Sequence, residues 1–534
     1  MKNQKLAGIT LAAAVALSTF SCNRDKFLDV NTTPNSPTVV TMPLLFTSTI
    51  VYSGFVATND LGRAASLFTQ YQAGTANQMA DYDRYNIRGS FDNQWNGELY
   101  GGALINAQTL IDLAATKESP AYGGIAKLLK AYNFSIATDM YGDVPYSQAL
   151  KGKDNTKPRY DKQEDIYKGN SALGIQSLID LVKEGLADLD KPSILKPGTT
   201  DDPVYGKTAN NIAQWKKMGN TLLLKFANTI SKREPALAAS LINQAAAGAF
   251  TSNADDFEVP FGSSNGNQNP LYSFNFLNRT GDQMLSQRLL DSMRVLNDPR
   301  LPIYFTPAPT PTATVNATGT VTTLPGPVVN GVPTPTFLTF TGYQNGGTAS
   351  NLTVPALANR SRYNIYIRGN SGEAPARLLT NVQRLFILAE SALTLPGITV
   401  AGTAQSLYQD AIRASMIKAG VANSDVTAYF AANPRVATLS GTIEQRRNKI
   451  ITQKWVSWVG NGLEAYNDYR RTGYPRLNPA LNPAGDDATL PNRFALPLSE
   501  LTANAGAENQ DVNILTSVSV WWARYPGLTS NSKI

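Results

Sequence analysis

Glu464 and Asp468 stand four residues apart in QKWVSWVGNGLEAYNDYRRTGYPRL (453–477), a spacing that puts two carboxylates on one helix face. A carboxylate pair is the apparatus of glycoside hydrolysis, one group acting as general acid and the other as base or nucleophile. The same helix offers a plainer use, because Asp468 lies three residues before Arg471 and can pair with it. A second constellation is QMADYDRYNIRGSFDNQWNGELY (78–100). There Tyr82, Tyr85, Phe91, Trp95 and Tyr100 alternate with Asp81, Asp83, Arg84, Asp92 and Asn93. Flat aromatic faces stack on the C–H groups of a sugar while acids and amides give its hydroxyls directed hydrogen bonds, and the same set suits a peptide. The competing reading makes these rings the core of a helix start. Trp95 fits the core best because it begins a helical stripe. Tyr82 and Tyr85, with Asp81, Asp83 and Arg84 around them, are the better binding candidates; Tyr272, Tyr304 and Tyr343 follow from a later irregular stretch.

The chain has 534 residues and no histidine, which excludes a Ser-His-Asp triad, a His-Cys dyad and a His-rich zinc site. Neither a metal nor a cofactor is expected. With 42% hydrophobic and 9% aromatic residues the chain is too apolar to be disordered. The net charge of +7 is a mild bias at this length, and no Lys/Arg stripe of the kind nucleic acid requires is present.

The single cysteine, Cys22, follows two lysines (Lys2, Lys5) and an apolar run, LAGITLAAAVAL (6–17), too short to span a bilayer and suited to a signal peptide. A thiol directly after such a segment suits lipoprotein processing, with acyl chains on Cys22 as the membrane anchor. Cleavage after Ser21 without lipidation is the alternative. On this reading residues 1–21 are the leader and 22–42 a lipidated tether. Residues 43–534 form one fold, with a loop-rich insertion over about 252–370.

The elements that must position these residues are mostly helices. Apolar stripes at helical spacing run over 43–74, from Trp95 to Ala115, and from Ile125 to Met140 with Gly142 as the stop. Others run over 166–190, 208–231, 375–394 and 403–419. Recurrent helical hairpins of this length predict a mainly α, tetratricopeptide-like scaffold. Arg446, Arg447 and Lys449 read as a solvated helix face, and Arg470 and Arg471 as cations in a last turn. The Thr/Pro/Gly-rich 306–340 stretch predicts loops with short strands.

TDMYGDVPYSQAL (138–150) and the 453–477 stretch resemble the SusD/RagB family of outer-membrane lipoproteins, in its SusD-like branch. FLDVNTTPNSP (27–37), NDPRL (297–301) and NRFALPLSE (492–500) fit the same family in the same order, so the resemblance covers nearly the whole mature chain. It implies a surface-facing nutrient binder, without chemistry of its own, that delivers glycan or peptide fragments to a SusC-like TonB-dependent transporter. Two other functions stay open at this point: a lipid-anchored carboxylate-dependent glycosidase, and a structural or adhesive helical-repeat surface protein.

Overall fold

Proline and glycine punctuate the helices. The computed structural model describes residues 40–308, 340–348, 350–504 and 516–523, with the backbone of four two-residue strands between 323 and 339. Cys22, the leader and nearly all of the tether lie outside the described residues. Helices Met42–Thr58 (α1) and Asp60–Phe68 (α2) lead into the strand Gln72–Gly74 (β1) and the helix Asn77–Asp83 (α3). Gln94–Leu104 winds as a π-helix straight into Ile105–Thr116 (α4). Pro120 opens Pro120–Tyr141 (α5), where its missing N–H costs nothing, and Gly142 ends it at φ +86°. Leu178–Asp188 (α6), Asn211–Ile230 (α7) and Pro235–Ala245 (α8) follow.

Helices α4, α5 and α6 pack side by side, as do α7 and α8. Helices α5 and α6 touch through glycine: a Cβ on Gly124 would meet the Gly185 carbonyl oxygen at 2.7 Å, and one on Gly185 would meet that of Gly124 at 2.8 Å. The core between α1, α5 and α7 closes on Trp215, whose ring lies 5.9 Å from Phe46 and 5.5 Å from Phe257.

The chain between these helices and the next set is short-stranded, as its composition predicts. Phe257–Val259 (β2) and Gln283–Leu285 (β3) precede the helix Gln287–Val295 (α9), and β3 pairs antiparallel with β1. The expected helix over 375–394 is corrected at its start, because Ala376–Leu379 is a strand (β4) paired antiparallel with β2. Four residues (Ala-Arg-Leu-Leu) are too few to show a helical period, and the Thr380 hydroxyl accepts from the Gln383 N–H, fixing the start of Asn381–Thr394 (α10).

Ala404–Ala419 (α11), Ile443–Ser457 (α12) and Gly462–Thr472 (α13) complete the scaffold, α11 ending at the left-handed Gly420. Helices α10 and α11 form another hairpin, α12 lies against α10, and α13 returns onto α2. The fold is mainly α and tetratricopeptide-like, as the stripes predict. In NDPRL, Arg300 is wholly buried and ties Asp298, Ser415 on α11 and Gln453 on α12 together. That motif holds the fold.

Candidate functional site

Glu464 and Asp468 are not a hydrolytic pair. Lys225 on α7 donates to Glu464 Oε1 at 2.6 Å, Lys454 on α12 meets Asp468 at 2.9 Å, and Arg471 reaches Asp468 at 2.9 Å. Arg471 also forks onto both oxygens of Glu390 on α10, each at 2.7 Å. The space among these groups is about 10 Å³, room for about one water and no sugar. Arg470 and Arg471 stand in the last turn of α13, as the sequence predicts. Both are also buried: Arg471 is a partner of Glu390, and Arg470 lies over the rings of Tyr466 and Trp522. The solvated face expected of Arg446, Arg447 and Lys449 is corrected. Arg447 is buried facing Glu390 and Glu444, so that helix face is only partly solvated.

The aromatic stretch divides differently from its expected roles. Trp95 is core, its indole N–H donating to Glu500. Tyr82 and Tyr85 are core as well, 1% and 4% exposed, which corrects the stacking surface expected of them. Tyr82 packs 5.2 Å from Phe91, and the Tyr85 hydroxyl accepts from the Ala480 N–H at 2.9 Å. The late segment 478–496 folds over this stretch, and nothing in local spacing announces that. Tyr304 is buried too, stacked on Tyr366 at 5.2 Å, so it offers no face to a ligand. Asp81 is exposed, Arg84 donates from Nε to the Asn482 carbonyl at 2.8 Å, and Tyr272 is half-buried against Phe276.

Asp83 and Tyr343 meet at a different place. Behind β1, the buried Asp83 carboxylate accepts from Gly74 N–H (3.0 Å), Gly346 N–H (2.7 Å) and Asn345 Nδ2 (2.6 Å). Burial pushes its pKa up to about 7 against the pull of those donors. Asn345, so held, and Tyr343 line a cavity of about 330 Å³. The other walls come from Gln70 after α2, from Gln287, Arg288 and Asp291 on α9, and from Thr353, Pro355 and Asn478.

Amides dominate this lining, and they both donate and accept. Gln287 Nε2 donates to Asp291 Oδ1 at 2.8 Å, and Arg288 is braced by Ser292 Oγ and the Arg476 carbonyl. Gln70 bonds the backbone of Asn478 through both ends of its amide, from a positive φ of 58°. Asp291 is the single carboxylate in the wall, so the two-carboxylate geometry of a glycosidase is not built here. Such a set can give directed hydrogen bonds to a hydroxyl-bearing ligand. Of the sequence candidates only Tyr343 lines it, with Asp83 one bond behind. Gln70, Gln287, Arg288 and Asp291 are not legible in the sequence, because five separate segments supply the wall and none carries a motif.

Residues 34–497 match the family described as starch-binding and associating with the outer membrane. The chain belongs to the SusD-like family. Membership places it among outer-membrane-associated, nutrient-binding proteins. A chitin-binding SusD homologue from Flavobacterium johnsoniae has the same fold, with 23% identity, a TM-score of 0.70, and 91% of this chain and 98% of that one covered. A SusD homologue from Bacteroides uniformis gives 23% identity and a TM-score of 0.68 over 90% of this chain and 99% of that one. A SusD-like protein from Bacteroides thetaiotaomicron gives 21% and 0.70 over 91% and 99%. No curated protein sequence matches the chain.

Proposed function

We propose that this SusD-like chain is a lipid-anchored protein of the cell surface that binds a nutrient glycan in the amide-lined cavity. It passes the glycan to a SusC-like TonB-dependent transporter and breaks no bond itself. The observation that carries this reading is the cavity lining, in which amides and an arginine surround a single carboxylate. The chitin-binding solved relatives favour a glycan over a peptide. The glycosidase alternative loses the carboxylate pair that suggested it to the salt bridges of Glu464 and Asp468.

Calorimetric titration of the soluble mature chain across chito-oligosaccharides, malto-oligosaccharides and peptides tests the reading. Gln287→Ala and Asp291→Ala are expected to weaken glycan binding about tenfold each, the scale of one or two lost hydrogen bonds. Stability should stay within about 1 kcal/mol of the parent, because both residues are only half-buried and each gives up one side-chain hydrogen bond to the other. Parental affinity in both variants would remove the site from this cavity. The anchor is tested separately: Cys22→Ala should leave a folded chain that no longer partitions with membranes, and retention equal to the parent in cells lacking the transporter would refute lipidation.

A further inference from the structure

Arg360, Arg362 and Arg368 gather around Phe276 with no carboxylate among them. Arg362 Cζ lies 4.0 Å from the centroid of the Phe276 ring and Arg368 Cζ 5.0 Å from it, while Tyr272 stacks on the same ring at 5.3 Å. Every acceptor the three find among the described residues is neutral. Arg360 donates to the carbonyls of Pro355 and Gly281 and to the Thr75 hydroxyl. Arg362 donates through Nη2 to the Asn275 carbonyl, and Arg368 to the carbonyls of Tyr363, Gly369 and Asn370. This leaves Arg362 Nε and Nη1 without a protein acceptor among the described residues.

The acids close by in sequence are engaged elsewhere. Glu373 gives its oxygens to the N–H groups of Asn370 and Ser371, and Asp282 accepts from Asn77. The 306–340 segment contains no Asp or Glu. Burial, then repulsion from Arg368 and Arg360, pulls the Arg362 guanidinium below its ordinary value. Like charges held together in a half-buried cleft are unfavourable until an anion joins them.

The cluster borders the glycan cavity. Pro355, whose carbonyl takes the Arg360 Nε–H, is part of the cavity wall. Phe276, Arg360 and Arg362 line the mouth of a cleft of about 10 Å³ beside β3, which admits no more than a water, so a substituent meets the guanidinium groups at its mouth. The residues after β3, Ser286 and Gln287, lead into that wall. A guanidinium fork matches the paired oxygens of a carboxylate or sulfate.

We propose that Arg360, Arg362 and Arg368 form a subsite for an anionic substituent, a uronic carboxylate or a sulfate ester, on the glycan that occupies the adjoining cavity. This rests on the glycan-binding reading above. The test is titration of the mature chain with a neutral chito-oligosaccharide, a polygalacturonate fragment and a heparin fragment, each at low and at physiological salt. One charged probe should bind about tenfold tighter than the neutral one and lose that margin as salt rises; which of the two does so separates carboxylate from sulfate. Arg362→Gln and, independently, Arg368→Gln should remove about tenfold from the charged probe and leave the neutral probe within about twofold. If Arg362→Gln unfolds, Arg368→Gln and the charge-keeping Arg362→Lys carry the test. Equal affinity for charged and neutral probes, or arginine variants that bind the charged probe as the parent does, overturns the subsite while the cavity reading stands. Binding of no probe at all overturns both.

Discussion

Arg471→Met is expected to lower the unfolding free energy by about 3 to 5 kcal/mol, the cost of leaving buried charge without its partner. Arg471 is 2% exposed and grips Glu390 with two hydrogen bonds while holding Asp468 with a third. Its loss leaves Glu390 with Asn228 at 3.1 Å and Arg447 at 3.6 Å, too little for a buried carboxylate. Burial alone would raise Glu390; the charge and hydrogen bonds of Arg471 outweigh it and hold the carboxyl at about 2, below its ordinary 4.5. A carboxyl whose folded value is depressed stabilises the fold above its unfolded value and loses that contribution as pH falls through the folded one. The difference between parent and variant should therefore be full at neutral pH and shrink between about 4.5 and 2. Denaturant titration at several pH values measures it, and a neutral-pH loss under about 1 kcal/mol would show that the network is energetically idle.

Tyr82→Ala is expected to cost about 3 to 5 kcal/mol, as emptying a core aromatic site does, while glycan affinity per folded molecule stays unchanged. The ring sits between α3 and Phe91, which in turn meets Phe494 at 4.9 Å, so truncation opens a hole beneath the late segment. Tyr85→Ala should fall in the same range, because it also strands the Ala480 N–H that its hydroxyl receives. Denaturant titration and calorimetry of the same samples separate the outcomes. Parental stability with weakened glycan binding would restore Tyr82 as a stacking platform.

The mistaken roles of Tyr82 and Tyr85 show where sequence reasoning stops. An aromatic beside acids and amides looks the same whether it faces water or a neighbour; what covers Tyr82 and Tyr85 are residues such as Phe494 and Ala480, far along the chain. Trp95 was legible as core because its own helix repeats apolar positions behind it. The strand Ala376–Leu379 reads as helix in the sequence for a related reason: its partner, Phe257–Val259, is remote, and only pairing settles the state of so short a segment.

The sequence by itself determined the helical scaffold, most of its stops and the family, because stripes, glycines and motifs act over a few neighbouring residues. It also predicted the Asp468–Arg471 pair, three residues apart on one helix. Only the tertiary structure decided that Arg471 belongs to Glu390, 81 residues away, and that Lys225 belongs to Glu464, 239 residues away. It alone assembled the cavity from residues 70, 287–291, 342–345, 352–355 and 478–479. Charge pairing and concavity are properties of surfaces brought together by folding; a linear chain carries the residue types but not which of them will face one another.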